Sequence, residues 1–347
     1  MSTDATSILA SEILEQPRVV AHLLATERDR ARRVTDALRQ LRITHVLIAA
    51  RGTSDNAARY GQYVLGARNG LPVGLTTPSL FGVYGRPPRL EDALVIGISQ
   101  SGQSPDIVAV LAEARRQGVP TLALTNDPAS PLAQAAEHNL YLQAGPERSV
   151  AATKTYTAQL TALALLSAAW AETSEDDLAA LPDALTQVLS QAATPAKVAA
   201  QRLAATHSTR CVVLGRGYNF ATAFEVALKM KELAYIAAEP YSSADFQHGP
   251  IAMIEAGFPA VVIAAGVTMR DEMNALVEQL RTLGATVALI TDAPAATDDI
   301  PVSATVAEHL SPIPTVVAGQ WLAYHLTRAC GGDPDRPRTI RKITKTT

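Results

Sequence analysis

Two copies of one unit stand in this chain, and nothing else in the sequence constrains its fold as strongly. Arg51-Gly52, just after a short apolar run, returns as Arg216-Gly217 after another. The segment Gln117-Gly118-Val119-Pro120-Thr121-Leu122-Ala123-Leu124-Thr125 returns as Leu283-Gly284-Ala285-Thr286-Val287-Ala288-Leu289-Ile290-Thr291. The separations are 165 and 166 residues. Two matched offsets make duplication of one supersecondary unit the simplest account. Short apolar runs alternate with longer segments of helical period. Strands are expected over 46–50, 94–98, 121–124 and 140–142, then over 211–214, 260–264 and 287–290. A helix is expected over 155–171, and two more in the first forty residues, broken at Pro17. This alternation predicts an α/β fold in which each parallel sheet is flanked by helices, doubly wound and flavodoxin-like.

The predicted organisation is N-terminal helices over 1–38, a first α/β domain over 39–172 and a helical connector over 173–199, broken at Pro182. A second α/β domain follows over 200–330, then a tail over 331–347. A length of 347 residues accommodates two domains, and with 48% apolar and only 18% charged residues both can bury large cores. A net charge of −3 without a long basic run argues against nucleic-acid binding. Cys211 and Cys330 are the only cysteines, which argues against a disulfide framework and a thiolate metal site. The N-terminus lacks the basic stretch and apolar core of a signal peptide, and no apolar run is long enough to span a membrane. A cytoplasmic location without a membrane partner is expected.

The second copy also exposes what is special in the first. After the apolar run 94–98 comes Ser99-Gln100-Ser101-Gly102-Gln103-Ser104, then Pro105 at an expected helix start. A hydroxyl-rich loop entering a helix N-terminus offers N–H and O–H donors to an anion. No lysine sits in the loop and no Walker pattern is present, so a small phosphate monoester suits it better than a nucleotide. The second copy has Ala265-Gly266-Val267-Thr268-Met269-Arg270 at that place. The serines are therefore not needed to build the fold. Thr53-Ser54 and Val150-Ala151-Ala152-Thr153-Lys154 follow other strands and are expected at the same carboxyl edge, where parallel sheets bind ligands.

Elsewhere, Glu225, Lys229 and Glu232 are spaced i, i+4, i+7 and share one face of a predicted helix. Spacing favours a solvated stripe of ion pairs; the alternative is a carboxylate base beside a lysine. Gln247-His248-Gly249-Pro250 places a histidine in a tight turn, suited either to structure or to proton transfer. It has no neighbours at metal-ligand spacing, so no metal is implied. The tail Pro334-Asp335-Arg336-Pro337-Arg338-Thr339-Ile340-Arg341-Lys342 reads by composition as a solvated basic arm; the alternative is an arm folded over an anionic ligand.

Taken in order, these motifs resemble the sugar-isomerase (SIS) domain family, as paired in the isomerase half of glucosamine-6-phosphate synthase. The resemblance covers nearly the whole chain. It includes Glu12-Ile13-Leu14-Glu15-Gln16-Pro17, Arg51-Gly52-Thr53-Ser54, the serine loop, Val150 to Lys154, Glu225 to Glu232, Gln247 to Pro250, Leu322-Ala323-Tyr324-His325 and Arg336 to Lys342. It implies two tandem SIS domains and no cofactor. It implies that Ser99, Gln100, Ser101 and Ser104 hold a sugar phosphate, with Thr53 and Ser54 nearby and Val150 and Ala152 lining the sugar site. By the same resemblance Glu232 is the base that moves a proton between C1 and C2, supported by Lys229. His248 assists ring opening across a homodimer interface that shares active sites. Lys342 contacts the open-chain sugar from a tail lying over the active site.

The synthase also carries an N-terminal glutaminase domain with a catalytic cysteine, whereas this sequence starts Met1-Ser2-Thr3-Asp4. The resemblance then implies an amino-sugar-phosphate deaminase and isomerase that turns glucosamine 6-phosphate into fructose 6-phosphate and ammonia. The alternatives are a fructosamine 6-phosphate deglycase and a non-catalytic sugar-phosphate sensor. The substrate class is a phosphorylated amino sugar or ketose. Several positions depart from the family pattern. Arg51 stands for a cysteine, Gln103 for an acidic residue, Ser104 for a threonine and Ala152 for a serine. Ser79-Leu80-Phe81 stands for Ser-Glu-Phe.

Overall fold

The computed structural model describes residues 7–172, 176–340 and 342. The Met1–Asp4 start, residues 173–175 of the expected connector and Arg341 lie outside the described residues. The chain forms two compact units. One comprises the chain up to Pro17, Arg148–Thr153 and Ala180–Ile340; the other comprises Arg18–Glu147, Lys154–Ala179 and the residues after Ile340.

In the second of these units, five parallel strands form one sheet: β1 (His45–Ala49), β2 (Val73–Leu75), β3 (Ala93–Ile98), β4 (Thr121–Thr125) and β5 (His138–Tyr141). Their order is β2-β1-β3-β4-β5. The other unit holds β6 (Arg210–Gly215), β7 (Ala237–Ser242), β8 (Pro259–Ala264), β9 (Thr286–Thr291) and β10 (Ile300–Pro301), also parallel. Read from β7, its order is β7-β6-β8-β9-β10, the order of the first sheet repeated. The duplication seen as matched offsets is thus a duplication of topology. In both sheets the direction of winding reverses beside the first strand, which opens a crevice at the carboxyl ends of β1 and β3 and of β6 and β8.

Every residue of β3, β4 and β8 is buried, as their continuous apolar runs require of strands covered on both faces. Against the first sheet the helix Pro105–Arg116 lays Ile107, Val110, Leu111 and Ala114 at helical spacing. Against the second, Arg270–Thr282 lays Met273, Leu276, Val277 and Leu280. Each such aliphatic side chain contributes about 1.5–3 kcal/mol by leaving water.

The strands missing from the sequence reading are β2, β7 and β10, all at sheet edges. They are short or half-exposed, and they contain Gly74, Pro240 and Pro301, which an edge strand tolerates because one side of its backbone needs no partner. The expected break at Pro17 is corrected. The first helix, Ile8–Leu14, ends at Glu15, and Pro17 is the second residue of the helix Gln16–Arg39. Pro182 likewise opens the helix Leu181–Gln191. In the first turn the missing proline N–H has no acceptor to lose, so these prolines start helices.

Candidate active site

The serine loop leaves β3 beside the exit of β1. Ala49 pairs with Gly97, so Arg51 and Ser99 leave the sheet as neighbours. Ser99 is buried, and its Oγ accepts the Gly102 N–H at 3.1 Å. Ser101 Oγ accepts the Gln103 N–H at 3.3 Å. Gly102 holds φ +63°, and a Cβ there would lie 2.2 Å from Ser130 Oγ. Its carbonyl accepts the Leu132 N–H, and the Gln100 carbonyl accepts the Asn126 N–H, so the β4 exit staples the loop. Ser104 is the N-cap residue of Pro105–Arg116, yet its hydroxyl makes no capping bond. Gln100, Ser101 and Ser104 are half-buried. Thr53 and Ser54 open the helix Thr53–Asn69 after β1. Ser54 is buried, and its Oγ accepts the buried Gln159 amide at 3.0 Å, so that hydroxyl is engaged within its unit.

In this same unit Lys342 donates from Nζ to Glu147 Oε2 at 2.7 Å. The Glu147 carboxylate is fully buried, and it also accepts the Thr155 N–H at 3.2 Å and the Thr155 hydroxyl at 2.7 Å. The tail lysine is therefore seated on a built acceptor. Composition had suggested a solvated arm.

In the other unit the charged stripe is not a solvated face. Glu225 and Lys229 lie on the helix Phe220–Lys229, with side chains 0% and 2% exposed. Lys229 Nζ reaches Glu225 Oε1 at 3.4 Å and Glu232 Oε2 at 2.6 Å. Burying one ammonium against two carboxylates is costly unless the geometry satisfies all three. Glu225 and Glu232 share the lysine, and Glu232 is the nearer of the two. After Lys229 the helix widens to a π turn over Met230–Ala234, closed by Tyr235 at φ +58°. On a regular α-helix Glu232 would stand in line with Glu225. The wider turn rotates it out of that line, and its side chain is 25% exposed while still bonded to Lys229. A π turn is uncommon and concentrates at functional sites.

Tyr235, next to this turn, holds the tail: its hydroxyl accepts the Arg338 N–H at 2.8 Å, and the Arg338 guanidinium lies 4.4 Å from its ring centroid. Asp335 accepts the Ile8 and Leu9 N–H groups, so the tail also caps the first helix. His248 is exposed at the end of the short helix Ser243–Gln247. Among the described residues no bond joins it to the Lys229 cluster.

Val150 and Ala152 are half-buried in a loop that Glu12 holds. The buried Glu12 carboxylate accepts the Arg148 N–H at 2.5 Å and the Ser149 N–H at 3.1 Å. Gln16 donates to Gln320 Oε1 at 2.8 Å, and Gln320 reaches the Thr153 carbonyl at 3.4 Å. Glu12, Gln16 and Glu147 carry no role in the sequence reading. No local period signalled them: the bonds of Glu12 to Arg148, Gln16 to Gln320 and Glu147 to Lys342 join residues far apart in the chain. Among the described residues no group of three or more His, Cys, Asp or Glu side chains is arranged to hold a metal ion. Nor is any helix long and apolar enough to cross a membrane.

The SIS domain family model matches residues 41–169 and 206–310, one stretch over each sheet. The chain belongs to the SIS domain family. The glutamine–fructose-6-phosphate aminotransferase (isomerizing) of Streptococcus pneumoniae is 34% identical over 96% of this chain. The alignment covers 58% of that relative's own length. A Silicibacter pomeroyi protein, described provisionally as a phosphosugar isomerase, is 35% identical with a TM-score of 0.82, covering 95% of this SIS chain and 100% of its own. The glucosamine-6-phosphate deaminase of Thermotoga maritima shares the fold, with a TM-score of 0.80 at 21% identity over 98% of this chain and 100% of its own.

The two cysteines of this SIS protein differ in reach. Burial pushes the Cys211 thiol up to about 12, while Cys330 is exposed, its pKa raised more mildly by partial burial. A thiol reagent on the native protein is expected to label one cysteine, Cys330, with the second appearing only on denaturation. Two rapidly labelled thiols in the native protein would contradict the burial of Cys211.

Proposed function

We propose that this SIS protein is an amino-sugar-phosphate deaminase and isomerase, acting on glucosamine 6-phosphate to give fructose 6-phosphate and ammonia. The observation that carries the reading is the buried Glu225–Lys229 pair with Glu232 bonded at 2.6 Å and partly open to solvent. A carboxylate oriented by a charge-assisted bond and still reachable by substrate is what proton abstraction beside a carbonyl requires.

In the proposed reaction the serine loop takes the phosphate of the open-chain sugar. Glu232 removes the proton at C2, and the electron pair passes to the C1 carbonyl oxygen, which is protonated to give an enolamine. Return of a proton to C1 gives the C2 imine. Water adds to C2, ammonia leaves and the ketose remains. His248 assists ring opening as an exposed proton carrier, in a homodimer. Lys342, released from Glu147, contacts the open chain. Val150 and Ala152 line the sugar.

The relatives named as aminotransferases are longer than the aligned region, so their complete activity is not carried over.

The test is incubation with glucosamine 6-phosphate, assaying ammonia and fructose 6-phosphate in parallel. Equimolar appearance of both is expected. Neither product, with the sugar phosphate still bound, would overturn the reading, and fructosamine 6-phosphates would be assayed next.

A further inference from the structure

The duplicated crevice shows what the serine loop adds. In both copies an arginine after the first strand meets a carboxylate in the first turn of the helix after the third. Arg51 Nε donates to Asp106 Oδ2 at 2.8 Å, and Arg216 Nε lies 3.6 Å from Glu272 Oε1. The arginines are 165 residues apart and the carboxylates 166, the offsets of the repeat itself. The clasp is thus inherited by both crevices, and their surroundings differ.

In the second copy the loop is filled by its own domain's carboxylates. Gly266 N–H donates to Asp292 Oδ2 at 3.1 Å, and the Thr268 N–H and hydroxyl donate to Glu308 Oε2 at 3.3 and 2.6 Å. Arg270 is paired with Asp292 at 3.0 Å. A Cβ on Gly266 would lie 2.9 Å from Glu308 Oε1, so that carboxylate packs directly on the loop. Arg216 and Arg270 there are paired with Glu272 and Asp292, while Glu308 takes the Thr268 donors.

In the first copy Asn126 stands where the repeat has Asp292. Among the described residues, the bonds that the Ser99, Gly102 and Gln103 N–H groups make go to neutral oxygens. Asp106 is 2% exposed, and its second oxygen accepts the Ile107 N–H. It anchors one nitrogen of Arg51, while half of the arginine side chain stays exposed. Asp55 and Arg59, on the adjoining helix, pair with each other at 3.2 Å. The clasp therefore presents a guanidinium beside a loop whose N–H groups bond neutral oxygens, where those of the duplicate bond Asp292 and Glu308.

We propose that Arg51 is a phosphate-contacting, specificity-determining residue, anchored by Asp106 so that its remaining donors meet the phosphate held by the serine loop. The inference rests on the phosphate role of that loop. A guanidinium anchored through one nitrogen keeps a fork of donors suited to phosphate and loses little freedom on binding.

Calorimetric titrations with glucosamine 6-phosphate, inorganic phosphate and unphosphorylated glucosamine test it on the wild type, Arg51→Gln, Arg51→Lys and Asp106→Asn. Arg51→Gln is expected to weaken both phosphate-bearing ligands at least tenfold. It should leave glucosamine unchanged and flatten the dependence on salt. Arg51→Lys restores part of the loss, because it keeps the charge and loses the fork. Asp106→Asn costs less than Arg51→Gln. The inference is overturned if Arg51→Gln stays within twofold of a wild type that prefers phosphorylated ligands. Equal losses in Arg51→Gln and Asp106→Asn would overturn it too, since the arginine would then act only as a clasp. A wild type with no preference for phosphate would instead remove the serine-loop reading on which the inference stands.

Discussion

Glu232→Gln is expected to lower kcat for glucosamine 6-phosphate by about a thousandfold, within the range for loss of a positioned general base. Binding should stay within about threefold of wild type, because the amide keeps the shape and its oxygen still accepts from Lys229. Loss of kcat without a matching change in affinity separates a proton carrier from a structural contact. The fold should be little changed, since Glu225 stays ion-paired with the buried lysine. Steady-state kinetics together with a binding isotherm on the same preparation check this. Turnover equal to wild type would remove Glu232 from the chemistry. Loss of binding and melting temperature together would mean that its bond to Lys229 is structural.

Gly102→Ala carries the second large effect, and it acts through the backbone. An alanine at φ +63° pays roughly 1 kcal/mol for the left-handed conformation alone. Its Cβ would then press on Ser130, at 2.2 Å from Oγ and 2.4 Å from Cβ. Ser130 cannot swing away freely, because its Oγ caps the helix Pro131–Ala135 at the Ala133 N–H, a bond worth about 1 kcal/mol. The expected result is a melting temperature lower by about 5 °C or more. Affinity for phosphorylated sugars should fall at least tenfold as the loop donors lose their register. An unchanged melting curve with intact phosphate binding would show that the loop accommodates a side chain there.

The central strands were legible because burial on both faces demands unbroken apolar runs, and β3, β4 and β8 are such runs. Edge strands face that demand on fewer sides, so β2, β7 and β10 resemble loops in sequence. The serine loop could be picked out because a second copy of the same unit lacks it. Its hydroxyls are placed by backbone, and backbone follows from strand and helix ends that sequence does reveal. The Lys229 cluster was harder. Spacing reports which residues share a face and says nothing of what covers that face; only the structure shows Glu225 and Lys229 sealed from water. Glu12 and Glu147 were illegible for another reason. Their partners lie 136 and 195 residues away, and no local period joins a carboxylate to an N–H or a lysine so distant.

The π turn at Met230–Ala234 leaves the segment with two reading frames. Upstream of it, Glu225 and Lys229 follow the period of the α-helix; within it, Glu232 follows the wider turn. An ordinary helix advances about 100° per residue, so removing one residue there would restore a continuous ladder of hydrogen bonds and redirect the carboxylate. Met230, Leu233 and Ala234 are buried in the frame that the wider turn sets, so the same deletion would also move core side chains out of place, and the carboxylate and the packing depend together on the length of this turn.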